Sequence, residues 1–174
     1  MKIRKEDLIN EQNIYLATYQ EKAAHFRGRL IDVSITVEMK LAEVFTNFFN
    51  QDEIKRKFMY SSIFTNSELS FSSKSKILSE LLTSFHPDIL SLFPDILENL
   101  NHIVHLRQLV DHSMVDSSPE FLRHRYNDRI QFTYFSGGQP QKLVVTDEDF
   151  NASMRRVAMV TLALDHLKTI LNLN

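Results

Sequence analysis

The sequence predicts an all-α fold, a bundle of about five helices with one β-hairpin inserted before the C-terminal helix. Three observations carry this. Glycine (3) and proline (4) are scarce in a chain of 174 residues, so few positions interrupt a helix. Apolar residues recur at the helical period over most of the length. The period drops to two in one place, about residues 129–146, where two strand-like runs flank a glycine-containing turn. With 43% hydrophobic and 24% charged residues, the chain suits one domain, 1–174, able to bury a core without covalent staples.

Each element has its own warrant. From Asp7 to Ala24 the sparse apolar positions Leu8, Ile14, Tyr15, Leu16 and Tyr19 mark a polar amphipathic helix. Gly28 is a break or a thin spot. Beyond it, Leu30, Ile31, Ile35, Leu41, Ala42, Phe45, Phe48 and Phe49 keep helical intervals. The β-branched run Val33–Val37 would suit a strand, but the longer pattern favours a helix. A shorter helix is expected around Gln51–Phe64, before the polar "TNSELS". Ser72 or Ser73 is a suitable cap for "KSKILSELLTSF". Pro87 suits a first helical turn, where its missing N–H costs nothing. Pro94 kinks that helix or starts the next. Asp95 to about Met114 carries Ile96, Leu97, Leu100, Ile103, Val104, Leu106 and Val110, a helix that "VDSSPE" ends. Ile130, Phe132 and Tyr134 alternate, as do Leu143 and Val145, and "SGGQP" between them makes the hairpin. Thr146 or Asp147 then caps a final helix with acids in its first turn.

Composition narrows the classes of function. Cysteine is absent, which removes disulfides and thiolate metal ligands and favours a reducing compartment. The opening "MKIRKEDLINEQNIY" has charge without an apolar run, unlike a signal peptide. No window approaches the roughly 20 apolar residues of a membrane-spanning helix. The expectation is a soluble, cytoplasmic chain with no membrane partner. A formal net charge of −2 argues against coating nucleic acid with the whole surface but leaves room for a local basic groove.

Four polar features could carry chemistry. His102 and His105 stand three apart on one helix, but zinc needs three or four ligands and a second shell, so a solvated stripe is the expectation and no metal or cofactor is assigned. "SGGQP" lacks a following helix N-terminus to receive a phosphate, and reads as a turn. "RHRYNDR" brings Arg123 and Arg125 beside Tyr126; arginines can fork onto phosphate and a tyrosine can stack on a base. These three residues are the candidate wall of an RNA-binding groove, against the plainer role of a charged connection. The fourth is "HLRQLVDHSMVD". Arg107 and His112 are five apart, about 140° around an ideal helix, and would not face one point unless the helix ends between them. Arg107 and Asp111, four apart, share a face and suit a surface pair.

An arginine, four residues and a histidine near the end of a late helix, followed by serine in "RQLVDHS", resembles the HEPN superfamily (higher eukaryotes and prokaryotes nucleotide-binding). Gln108 stands where that superfamily commonly has Asn, Asp or His. "RGRLIDVSITVEMKLAEVFTNFF" and "LSFSSKSKILSELL" are similar to helices of bacterial relatives of the mannitol-operon repressor family. The resemblance spans roughly Arg27 to His112. It implies metal-independent RNA cleavage, in the manner of a toxin or defence endoribonuclease, at a site shared by two subunits. Arg107 would then hold the phosphate and His112 would act as general acid or base. A homodimer would bring residues together that one helix sets apart. Asp32 or Glu38 could orient the arginine. An antitoxin or regulatory protein is the implied partner. Members that have lost catalysis serve as interaction or transcription-regulatory modules, the alternative the resemblance leaves open.

Overall fold

The computed structural model describes residues 5–173 other than 67, 123 and 125–127. The chain is mostly helical, with a small antiparallel sheet before the C-terminal helix. In order, α1 is Lys5–Phe49, α2 Glu53–Met59 with a π-helical turn at Tyr60–Phe64, α3 Phe71–Phe85, α4 Pro87–Leu92 and α5 Ile96–Asp111. Strand β1 (Met114–Val115), helix α6 (Pro119–Leu122), strands β2 (Arg129–Ser136) and β3 (Gln139–Thr146), and α7 (Asp147–Leu173) follow. No helix among the described residues is long and apolar enough to cross a membrane. The chain groups into two compact units, Met1–Ile31 with Gln108–Asn151 and Asp32–Arg107 with Ala152–Asn174.

The two helices expected on either side of Gly28 are one. Gly28 is exposed within α1, and a single glycine costs a helix about 1 kcal/mol, too little to break a long one. A Cβ added there meets nothing within 4 Å. Gly28→Ala should therefore raise stability by about 0.5–1 kcal/mol, read as a higher midpoint in thermal or urea unfolding; a loss of stability would show that Gly28 serves something other than a helical position.

The unit of residues 32–107 and 152–174 is helical. Val37, Leu41, Val44 and Phe45 of α1 are buried with Leu78 and Leu82 of α3, Ile89 of α4, Leu100 and Ile103 of α5, and Val160, Leu164 and Leu167 of α7. The β-branched Val37 lies in this helical core. Around α3 the cap is Ser70, earlier than Ser72 or Ser73, its Oγ accepting from Ser73 N at 3.1 Å. The earlier start makes Phe71 helical and buries it. Pro87 occupies the first turn of α4 as expected. The chain breaks after Leu92, and α5 begins at Ile96, past Pro94. The expected Gln51–Phe64 helix is capped by Asp52, which accepts from Ile54 N and Lys55 N, and changes to π geometry at Tyr60.

The other unit contains the sheet, in the order β1-β2-β3. Arg129–Ser136 pairs with Gln139–Thr146, the range predicted for the hairpin, and Ile130↔Val145 and Phe132↔Leu143 lie opposite each other. Gly137 (φ 58°) and Gly138 (φ 77°) form the two-residue turn; positive φ at both positions is the type I′ requirement that glycine meets without strain. The helix expected to reach Met114 stops at Asp111, and Met114–Val115 pairs with Thr133 and Phe132 as a third strand. Asp116 secures that strand's exit: its carboxylate accepts from Ser118 N (2.9 Å) and from Gln131 Nε2. Tyr19 Oη accepts from Gln131 N (2.9 Å) and donates to Gln131 O (3.2 Å). Thr146 caps α7 reciprocally, its Oγ1 accepting from Asp149 N while Asp149 Oδ2 accepts from Thr146 N.

Candidate functional site

The candidate site is an ionic cluster inside the helical unit. Helix α3 sets Phe71, Lys74, Leu78 and Leu81 at spacings of three and four, so Lys74 falls on the buried face and only 2% of it is exposed. An uncompensated ammonium at such depth would cost several kcal/mol. The compensation comes from Glu38 on α1, whose Oε1 accepts from Lys74 Nζ at 2.6 Å. The second carboxylate oxygen, Oε2, accepts from Arg107 Nη1 of α5 at 2.7 Å. The Arg107 guanidinium also lies over the Phe71 ring, 5.5 Å from its centroid, close enough for cation–π attraction. Three helices thus fix one arginine through one carboxylate. Burial alone would raise the Glu38 carboxyl, but the hydrogen bonds and charges of Lys74 and Arg107 outweigh it and hold it below its ordinary value.

Arg107 is three-quarters buried, with 24% of its side chain exposed. Glu38 orients it, the role the resemblance offered to Asp32 or Glu38; Asp32 is exposed on α1. His112 belongs to the other unit and is exposed in the turn after α5. Helix α5 ends at Asp111, one residue before His112. The serine after it, Ser113, is buried; its Oγ donates to Val110 O (3.0 Å) and its carbonyl accepts from Arg27 Nη2 (2.8 Å). Of the candidate RNA-binding residues, Arg123, Arg125 and Tyr126 lie outside the described residues.

Lys74 is the residue that sequence reasoning missed. Its signal was present: a lysine in phase with Phe71, Leu78 and Leu81 on an apolar face is a charge without water. His102 meets Ser153 Oγ at 3.3 Å. Partial burial and the positive charges of Arg156 and His105 push its imidazole below the usual value, which favours a neutral hydrogen bond between α5 and α7. Among the described residues no three His, Asp or Glu side chains gather as a metal site would require. No family model, curated protein or solved structure matches this chain.

Proposed function

We propose that the chain is a cytoplasmic HEPN-like domain that cleaves RNA as a homodimer without a metal, Arg107 holding the phosphate and His112 moving a proton at the ribose. The supporting observation is the Lys74–Glu38–Arg107 cluster. Apolar side chains would fill that volume at lower desolvation cost, so the charges are better explained by what they orient. An arginine held by a carboxylate before substrate arrives loses little freedom when its fork meets a phosphate. In the reaction, the ribose 2′-hydroxyl gives up its proton and attacks the adjacent phosphorus, and the 5′-oxygen leaves with a proton. One histidine can accept the first proton or donate the second; two copies in a dimer supply both roles. A protein partner of antitoxin or regulatory type would hold such an activity in check.

A second reading has its own observation: the Arg107 guanidinium is already engaged by Glu38, as it would be in a non-catalytic interaction module whose ionic cluster only fixes helix packing. Mixed RNA incubated with the purified protein in EDTA separates the two. His112 is exposed, so His112→Ala should leave folding intact and slow cleavage by about 10²–10⁴-fold, the usual worth of an acid–base group. Arg107→Lys keeps a charge for Glu38 but loses the fork, and should also slow it. The expected products carry 2′,3′-cyclic phosphate ends. Equal cleavage by wild type and His112→Ala overturns the nuclease reading, and no cleavage by wild type leaves the interaction module.

A further inference from the structure

An open groove of about 630 Å³ lies in the helical unit between the end of α1, the α2–π segment and Lys168 of α7. From its lining we infer a binding site for a small organic monoanion, a carboxylate with an apolar body, recognised by Arg56. It is independent of the RNA reading and shares no residue with the Lys74–Glu38–Arg107 cluster. The volume falls within the range of small-molecule sites. One wall is the π turn, in which Thr65 N reaches back five residues to Tyr60 O at 3.0 Å. Such turns occur mostly as isolated insertions and are frequent at functional sites. Here the turn supplies Tyr60 and Ser61 to the lining.

The charges select the ligand. Three cations line the groove, and two of them are matched within it: Lys168 Nζ pairs with Glu43 Oε2 at 2.6 Å and Lys57 Nζ with Glu53 Oε1 at 2.8 Å. Arg56 differs. Its Nη1 donates to the neutral Asn47 Oδ1 at 3.1 Å, and it forms no salt bridge among the described residues. Asn47 thus positions the guanidinium without cancelling its charge. The lining holds three cations against the two carboxylates Glu43 and Glu53, and the fork in excess suits a carboxylate, which it can meet with two parallel hydrogen bonds. A phosphate monoester, close to a dianion at neutral pH, would need a second free cation, and Lys57 and Lys168 already have carboxylates. The Tyr60 ring is the aromatic surface of the lining against which the body of such a ligand would lie.

The test is an NMR titration of the full chain, labelled with ¹⁵N, using 4-phenylbutyrate, its neutral amide and phenyl phosphate as probes. Saturable shifts at the amides of Asn47, Tyr60 and Ser61 are expected with the carboxylate. The amide should bind at least about tenfold more weakly, the worth of a charge-assisted hydrogen bond. Arg56→Gln should weaken the carboxylate by a similar factor, and Lys55→Gln, at an exposed neighbour outside the lining, should change it less than about threefold. The amide comparison uses the unaltered protein, so it decides the matter even where a variant misfolds. Equal binding of acid and amide, tighter binding of phenyl phosphate, or shifts that do not saturate would each overturn the inference.

Discussion

Glu38→Ala should destabilise the protein by about 3–5 kcal/mol, the range for breaking a buried ion pair by removing one partner. For a chain of this size that lowers the melting temperature by about 6–20 °C. The loss comes less from the missing attraction than from what stays behind: the Lys74 ammonium, 2% exposed, with its carboxylate gone. The double variant Glu38→Leu with Lys74→Met removes both buried charges and should recover most of the stability, since apolar pairs of similar volume commonly match or exceed buried ion pairs. Calorimetry of the single and double variants measures this directly. A double variant as unstable as Glu38→Ala would mean that Arg107, losing the same carboxylate, carries the cost. A stable double variant that no longer cleaves RNA would assign the cluster to function and leave packing to the apolar core.

The same carboxylate sets a pH dependence. Glu38 titrates below its ordinary value of 4.5 in the folded chain, so the unfolded state binds a proton more readily. Its contribution is therefore complete above the unfolded value and is lost as pH falls from about 4.5 through the lower folded value. Wild-type stability should fall through that acid window more steeply than that of the double variant. Parallel curves would show that Glu38 is not depressed by its neighbours.

What could be read in advance depended on how far apart the determinants lie in the chain. The hairpin was legible because two glycines and two alternating runs are local signals, and their register followed from the turn. Strand β1 was not, since two residues continuing a helical pattern carry no period of their own; the ladder of β2 recruits them. Ser70 displaced Ser72 and Ser73 as a cap because burial of Phe71 fixes the start of α3, and burial is a tertiary quantity. The π turn at Tyr60 has no signature in its sequence. At the site, the motif singled out Arg107 and the resemblance offered Asp32 or Glu38 to orient it; the choice of Glu38, 69 positions away, comes from the packing of α1 against α5. Lys74 stood midway: its helical phase was readable, and the partner that makes its burial tolerable was not.

Phe132→Ala should cost about 3–5 kcal/mol, the range for truncating a fully buried aromatic ring. Phe132 is 0% exposed at the centre of β2, opposite Leu143 on one side and Val115 on the other. Its ring meets Phe26 at 5.7 Å, and the Arg27 guanidinium lies 5.7 Å from its centroid. Truncation therefore opens a cavity beneath the sheet and strips a partner from Arg27, whose Nε is already buried without a hydrogen bond. Phe135, three residues on, is 64% exposed, and Phe135→Ala should change stability by less than about 0.5 kcal/mol. Because the strand period is two, the pair of variants also reads the register. A slip of one residue would turn Phe132 outward and Phe135 inward, so urea unfolding in which Phe135→Ala is the costlier change would overturn the pairing of Phe132 with Leu143. The arrangement described here requires the opposite order, by a margin of several kcal/mol.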